Sequence, residues 1–298
     1  MPTLPASVTI VEVGPRDGLQ NESAHISTDE KVAYVDRLSA AGLREIEVSA
    51  FVSPTWMPQL ADAIEVFRRI VRKPGTRYSA LVPNMTGLER AITAGVTDVA
   101  IFAAASETFS RKNTNRGIDE SFATYREVTD AAIAAGLRVR GYLSTAFACP
   151  FEGVVPVDRV VELTSRLLDL GVYEVAISDT IGTAHPGQVQ LLLSQLLLPV
   201  PSTRIALHFH DTRGMALANV LTALEFGIAT FDSSAGGLGG CPYAPGSTGN
   251  VATEDLLYML DGLGIDTGVR IDRVSDAARG IAPLLTHPLS SRYTLARR

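Results

Sequence analysis

Hydrophobic residues recur along the chain in two alternating patterns, short apolar runs and longer stretches with helical spacing. VTIVEVG (8–14) is a short apolar run that reads as a strand. TDEKVAYVDRLSAAG (28–42) follows with apolar positions three and four apart, the mark of an amphipathic helix, with Thr28 as its expected N-cap and Gly42 past its end. The pair then repeats. Strands are predicted at 44–51, 77–83, 98–106, 138–145, 174–180, 204–209 and 230–236. Helices are predicted near 59–72, 86–95, 119–135, 156–170, 186–198, 214–226 and 252–263, with a last helix near 272–285. A glycine stands between helix and next strand at Gly42, Gly95, Gly136, Gly171 and Gly227. Alternating strands and helices with continuously apolar strands imply a parallel sheet covered on its outer face. Eight such units in this length predict an α/β fold, a single closed (β/α)8 TIM barrel over about 8–264 with a short helical extension over about 265–298. The competing open doubly wound sheet lacks its usual signature, because no GxGxxG follows the first strand.

Composition narrows the function. The chain has 298 residues, 46% hydrophobic and 19% charged, as expected for a large buried core. Its net charge of −6, without a basic run or stripe, argues against nucleic acid as a partner. No run of about 18 apolar residues is present, so no membrane span is expected. Two cysteines, Cys149 and Cys241, make no disulfide framework; with no secretory pattern at the N-terminus, a reducing cytoplasm is the expected location.

In a barrel of this kind chemistry gathers at the C-terminal ends of the strands. The polar residues of this sequence fall there: Arg16 and Asp17 after strand one, Glu47 on strand two, Asn84 after strand three, Asp179 and Thr180 after strand six, and His208 and His210 on strand seven. Two histidines two apart on a strand share a face. Strand one neighbours strand seven across strand eight once the barrel closes, so Asp17 joins them, and Asn250 in the loop after strand eight can add an amide oxygen. That mixed nitrogen and oxygen set suits a divalent metal with positions left open for substrate. Hard oxygen donors favour Mg²⁺ or Mn²⁺, and Zn²⁺ could also bind. Arg16 is either an ion-pairing loop residue or a cation aimed at a developing enolate. Glu47, a carboxylate in an apolar strand, either pairs with Arg16 or acts in catalysis. Five glycines lie between Gly236 and Gly246 in the loop after strand eight, and its Cys241 is either a small buried residue or a proton carrier on a flexible lid. Cys149, before Pro150, is read as a small buried residue.

The segments VEVGPRDGLQNE (11–22), FVSPTWMPQLAD (51–62), ASETFSRKNTN (105–115), HFHDTRGMALAN (208–219) and GGLGGCPYAPGSTGNVATEDLLYML (236–260) resemble the 3-hydroxy-3-methylglutaryl-CoA lyase family. The likeness extends from about residue 8 to 270. It implies metal-dependent cleavage of an acyl-CoA substrate to acetyl-CoA and a keto acid, acetoacetate for the family's usual substrate, by a homodimer. It also implies Asp17, His208, His210 and Asn250 as metal ligands, Arg16, Glu47 and Cys241 as catalytic residues, and a catalytic or supporting role for Asp179. Arg16, Asn84 and Thr180 are expected at the substrate, together with two positions that depart from the family's pattern. Ala50 stands where a serine is common before the phenylalanine, and Ala176 and Ser178 replace serine and glycine on strand six. Thr145 replaces a cysteine after strand five. Lost hydroxyls at Ala50 and Ala176 admit another acyl group, such as that of citramalyl-CoA.

Two other classes compete. Condensing acyltransferases of the wider metallolyase group typically carry further C-terminal domains, whereas only 265–298 lies beyond this barrel. A non-catalytic CoA-binding protein would be expected to have lost metal ligands or Arg16, and all are present.

Overall fold

A computed structural model describes residues 4–240 and 249–297. Eight parallel strands close into a barrel: β1 (Thr9–Glu12), β2 (Glu45–Ala50), β3 (Arg77–Leu81), β4 (Asp98–Ala104), β5 (Arg138–Ser144), β6 (Val175–Asp179), β7 (Ile205–Phe209) and β8 (Thr230–Ser233). The predicted fold class is therefore observed. Each strand hydrogen-bonds to its sequence neighbours, and β8 closes the ring on β1 through the register Thr9 to Thr230 and Glu12 to Ser233. No helix of the described residues is long and apolar enough to cross a membrane.

The helices that wrap the barrel are α1 (Thr28–Ala40), α2 (Ala63–Arg69), α3 (Met85–Thr93), α4 (Glu107–Thr114), α5 (Ile118–Ala134), α6 (Val157–Asp169), α7 (Pro186–Leu196), α8 (Ala216–Glu225), α9 (Thr253–Gly262), α10 (Ile271–Ile281) and α11 (Arg292–Ala296). Local chemistry corrects three sequence expectations. Ser27, not Thr28, caps α1: its hydroxyl accepts from the Glu30 amide while the Glu30 carboxylate accepts from the Ser27 amide, a reciprocal capping box. The helix expected from about 59 is shorter, because Pro58–Leu60 forms a separate 3-10 turn before α2. Helix α4 went unseen in the apolar pattern because it buries only Phe109 and Ser110; its start is fixed instead by Ser106, whose hydroxyl accepts from the Phe109 amide at 3.1 Å.

The core lies between barrel and helices, with Val35, Leu38, Phe67, Leu163, Leu193 and Leu224 among its fully buried members. A smaller cluster fills the barrel interior: Ala50, Leu60, Leu81, Ala100, Tyr142, Ala176 and Ala206. At the barrel's opposite rim, Gly42 ends α1 at φ +99°, where a Cβ would stand 2.6 Å from the Gly268 carbonyl. That close approach lets the chain before α10 dock on the end of α1, with the Arg270 amide donating to the Ala41 carbonyl.

Candidate metal centre and active site

Strand β1 stops at Glu12, earlier than the sequence suggests. A five-residue π-helical turn, Gly14–Gly18, follows it and carries Arg16 and Asp17. The amides of Arg16, Asp17 and Gly18 all converge on the Val13 carbonyl, at 3.1, 2.8 and 3.1 Å. Turns of this type are uncommon and concentrate at functional sites. Here the turn points both charged side chains into the barrel mouth.

On β7, His208 sits within the strand, in register with Ser178 on one side and Asp232 on the other. His210 lies just past the strand end and bridges to Asn250 in an antiparallel pair. The two imidazole centroids are 5.2 Å apart. Asp17, His208 and His210 each offer a ligand atom, and these atoms lie within 4.8 Å of one another. Asn250 joins them: its amide donates to Asp17 Oδ2 at 2.8 Å and to the Leu238 carbonyl at 3.0 Å. Gly239 makes room for it, since a Cβ there would lie 2.6 Å from Asn250 Nδ2.

Asn250 Oδ1 and His210 Nδ1 are buried without any hydrogen-bond partner among the described residues. Orphaned buried acceptors in a native fold call for an explanation, and at Asn250 a cation beside the carbonyl oxygen supplies one. Burial, with the neighbouring His208, pushes His210 down to about 4 despite the attraction of Asp17. It is therefore neutral at pH 7, the form in which imidazole binds metals. Burial alone would raise Asp17, but the Arg16 charge, with the hydrogen bond from Asn250, holds the carboxylate well below its usual range. The residues present thus fit a divalent cation in donor type, charge and protonation state.

Arg16 is clamped by two carboxylates. Its Nε donates to Glu47 Oε2 at 2.5 Å and its Nη1 to Asp17 Oδ1 at 2.6 Å. Burial would lower Arg16, but Glu47 and Asp17 hold it charged. Glu47 stands beside a β-bulge, where Val48 is an extra residue between the β2–β3 pairs Glu47 to Ser79 and Ser49 to Ala80. Such bulges re-aim side chains at barrel rims.

Arg16, Asp17, His208 and His210 line a cavity of about 680 Å³, the size expected of a small-molecule site. Asn84 and Thr180 line it too. Each also has a structural tie: the Asn84 side chain caps α3 through the Gly87 amide, and Thr180 Oγ1 accepts from the Thr145 amide. Val52, Met57, Leu81 and Phe102 add apolar surface to the lining, alongside Ser53, Asn113, Asn115, Arg116, Ser121 and Ser144. Ala50 and Ala176 stand behind that surface, fully buried in the interior cluster with Leu81 and Tyr142. Asp179 is buried beside the mouth, and its carboxylate accepts from the Thr183 and Ala184 amides at 3.0 and 2.9 Å. Cys241 lies outside the described residues.

Three polar groups escaped sequence reasoning. Asp232, on β8, approaches His208 Nδ1 at 3.1 Å and is forked by Arg140 of β5. Glu12 accepts from the Gly14 and Ala235 amides and from the Thr253 hydroxyl, beneath the glycine-rich loop. The signal was the same one that marked Glu47, a charged residue inside an apolar strand: VRG around Arg140, FDS around Asp232 and IVEV around Glu12.

A parallel eight-stranded barrel with an aspartate, two imidazoles and a buried arginine at its mouth is the architecture of a barrel enzyme with a candidate cation site. The family model described as HMGL-like matches residues 7–281. The chain is 50% identical to the Hydroxymethylglutaryl-CoA lyase YngG of Bacillus subtilis (strain 168), over 97% of this chain and 96% of that protein. The solved hydroxymethylglutaryl-CoA lyase from Pseudomonas aeruginosa superposes with a TM-score of 0.96 at 49% identity, covering 98% of both chains. An HMG-CoA lyase from Acinetobacter baumannii, solved with coenzyme A and 3-methylmalate, superposes at 0.94 with 38% identity, over 100% of this chain and 97% of that one. The chain belongs to the HMGL-like family.

Proposed function

We propose that this protein is a carbon–carbon lyase that cleaves 3-hydroxy-3-methylglutaryl-CoA to acetyl-CoA and acetoacetate. The observation that carries the reading is the convergence of Asp17, His208 and His210 within 4.8 Å, beside Arg16, in a chain half identical to a named lyase of that substrate. Asp17, His208, His210 and Asn250 would hold the divalent ion. Mg²⁺ or Mn²⁺ is favoured over Zn²⁺, because the set includes hard oxygen donors and the substrate brings more. When bound, that ion would act as a Lewis acid toward substrate oxygens.

The remaining roles fall to the chain's own side chains. A base takes the proton of the tertiary hydroxyl, the C2–C3 bond breaks, the hydroxyl carbon becomes the ketone of acetoacetate, and the electron pair stays on the thioester fragment as an enolate. Arg16, kept charged by Glu47 and Asp17, stabilises that developing negative charge. Glu47 fixes the guanidinium and excludes other orientations. Cys241 supplies the proton that converts the enolate carbon to the methyl of acetyl-CoA. Asp179 holds the turn after β6 that carries Thr180. Asn84 and Thr180 contact the substrate, and Ala50 and Ala176 shape the wall against which its acyl end packs. The assembly proposed is a homodimer, on the family resemblance alone.

A second acyl group is favoured by one observation: buried alanines stand at 50 and 176, packed with the cavity-lining Val52, Met57, Leu81 and Phe102. Purified protein supplied with Mg²⁺ or Mn²⁺ is to be assayed for acetyl-CoA release from 3-hydroxy-3-methylglutaryl-CoA and citramalyl-CoA in parallel, with EDTA and His208→Ala as controls. Release from the first that EDTA and His208→Ala abolish is the expected result. Release from the second alone would reassign the acyl group, and release from neither would overturn the proposed activity.

A further inference from the structure

A continuous buried ionic chain crosses the barrel interior behind the candidate cation site. Its first link is Glu174, just before β6, which accepts from Arg140 Nε at 2.9 Å. Arg140, on β5, then reaches across the barrel to β8 and grips Asp232 with both nitrogens, Nη2 to Oδ1 at 2.7 Å and Nη1 to Oδ2 at 3.2 Å. The same Nη1 donates to the Tyr142 hydroxyl at 2.9 Å. Asp232 Oδ2 finally meets His208 Nδ1 at 3.1 Å. Glu174, Arg140, Asp232 and His208 are all buried.

We propose that Asp232 and Arg140 are positioning residues for the cation site, setting the tautomer and ring orientation of His208 from behind. The inference rests on the reading that Asp17, His208 and His210 hold a divalent ion. A neutral imidazole carries one N–H, and the nitrogen that keeps its lone pair is the one that binds a cation. With Nδ1–H donating to Asp232, the lone pair belongs to Nε2. The carboxylate also makes that nitrogen a better donor, as carboxylate–histidine–metal arrangements do. A buried aspartate can serve this way only if its charge is answered, and Arg140 answers it with a planar fork that matches both carboxylate oxygens. Glu174 balances the arginine in turn. Each member has a partner, so the chain is a satisfied polar network that locks its members' geometry. Because Arg140 also holds the cavity-lining Tyr142, one β5 residue orients both a cation ligand and a piece of the wall.

The test uses the full-length protein, stripped with EDTA, and Mn²⁺ alone as the probe, with free Mn²⁺ followed by electron paramagnetic resonance. Asp232→Asn preserves shape and an acceptor for Arg140 but removes the charge. It is expected to raise the Mn²⁺ dissociation constant roughly 10- to 100-fold, with Asp232→Glu recovering part of the loss. Arg140→Lys, which keeps the charge but loses the fork, is expected to give a smaller rise. A folded Asp232→Asn protein that binds Mn²⁺ as the parent does overturns the proposal, whereas a parent protein that binds no Mn²⁺ overturns the metal reading beneath it. Should Asp232→Asn not fold, ¹⁵N-histidine spectra of the stripped parent decide. The His208 signals, assigned by their loss in His208→Gln, must show the proton on Nδ1, and a proton on Nε2 instead overturns the inference.

Discussion

The two sides of the barrel mouth are built on different physics. Around β7, β8, β2 and the turn after β1, ionic groups crowd together: Arg16 bonds Glu47 and Asp17 at 2.5 and 2.6 Å, and His208 meets Asp232 at 3.1 Å. Elsewhere in the lining, Val52, Met57, Leu81 and Phe102 offer carbon, packed with the alanines of the interior cluster. A charge buried without partners is costly, so the first flank tolerates few alternatives. The second constrains only shape and volume, which tolerate exchange far better. Replacements on the first flank are therefore expected to cost more than replacements on the second.

The comparison breaks most visibly if the ionic flank is dispensable. His210→Ala removes an imidazole that is neutral at pH 7. Loss of Lewis-acid stabilisation worth several kcal/mol lowers kcat by roughly 10³-fold or more, and the variant should fail to retain stoichiometric Mn²⁺ after gel filtration. Full activity would mean that the cation site is elsewhere. Arg16→Gln comes next. It removes the cation while leaving Glu47 buried, so kcat should fall by about 10²- to 10³-fold, as for loss of one preorganised charge stabiliser, with KM changing far less. A change confined to KM would make Arg16 a binding residue only.

The fold was legible in the sequence because the barrel units repeat the same signals, an apolar strand, an amphipathic helix and, in five of them, a glycine before the next strand. Where that periodicity is weak, as in α4 with Phe109 its only large buried side chain, the pattern was silent. The candidate cation site was legible because the residues that could hold it, Asp17, His208 and His210, fall at strand ends, a one-dimensional property. Its supports were not. Arg140 and Asp232 lie 92 residues apart and meet only because β5 faces β8 across a closed barrel. The π-helical turn after β1 was hidden as well, since Gly-Pro-Arg-Asp-Gly reads as a loop and its geometry depends on three amides converging on Val13.

Glu12 sharpens the comparison within the ionic flank itself. It shares the β1 region with Asp17 but has no cation against it, and burial pushes it up to about 8. Its folded value lies above its ordinary one, so between about pH 4.5 and 8 the folded chain keeps a proton that the unfolded chain releases. That contribution to stability is complete below about 4.5 and is lost as the pH rises through 8, at up to about 1.4 kcal/mol per unit. Glu12→Gln mimics the neutral acid: its oxygen can keep the Gly14 and Ala235 amides, and its nitrogen can donate to Thr253. Urea midpoints measured from pH 5 to 8 should slope downward less in the variant than in the parent. An unchanged slope would assign the proton to another group.

The smallest effect is expected on the apolar side, from Ala50→Ser. Ala50 is fully buried among Leu60, Leu81, Ala100 and Tyr142, so an added hydroxyl meets carbon on most sides. Burying a hydroxyl without a good partner costs at least about 1 kcal/mol. For a chain of this length that lowers Tm by about 2 °C, readable by calorimetry. Because the change is remote from Asp17 and the imidazoles in chemistry, Mn²⁺ affinity should stay at the parent value. If Tm instead holds or rises, the hydroxyl has found a partner, and the wall at position 50 is polar enough to receive a substrate carboxylate. The two sides of the mouth would then differ in charge but not in their capacity to bind polar groups. Selectivity between carboxylated and apolar acyl ends should in that case shift with the same single substitution.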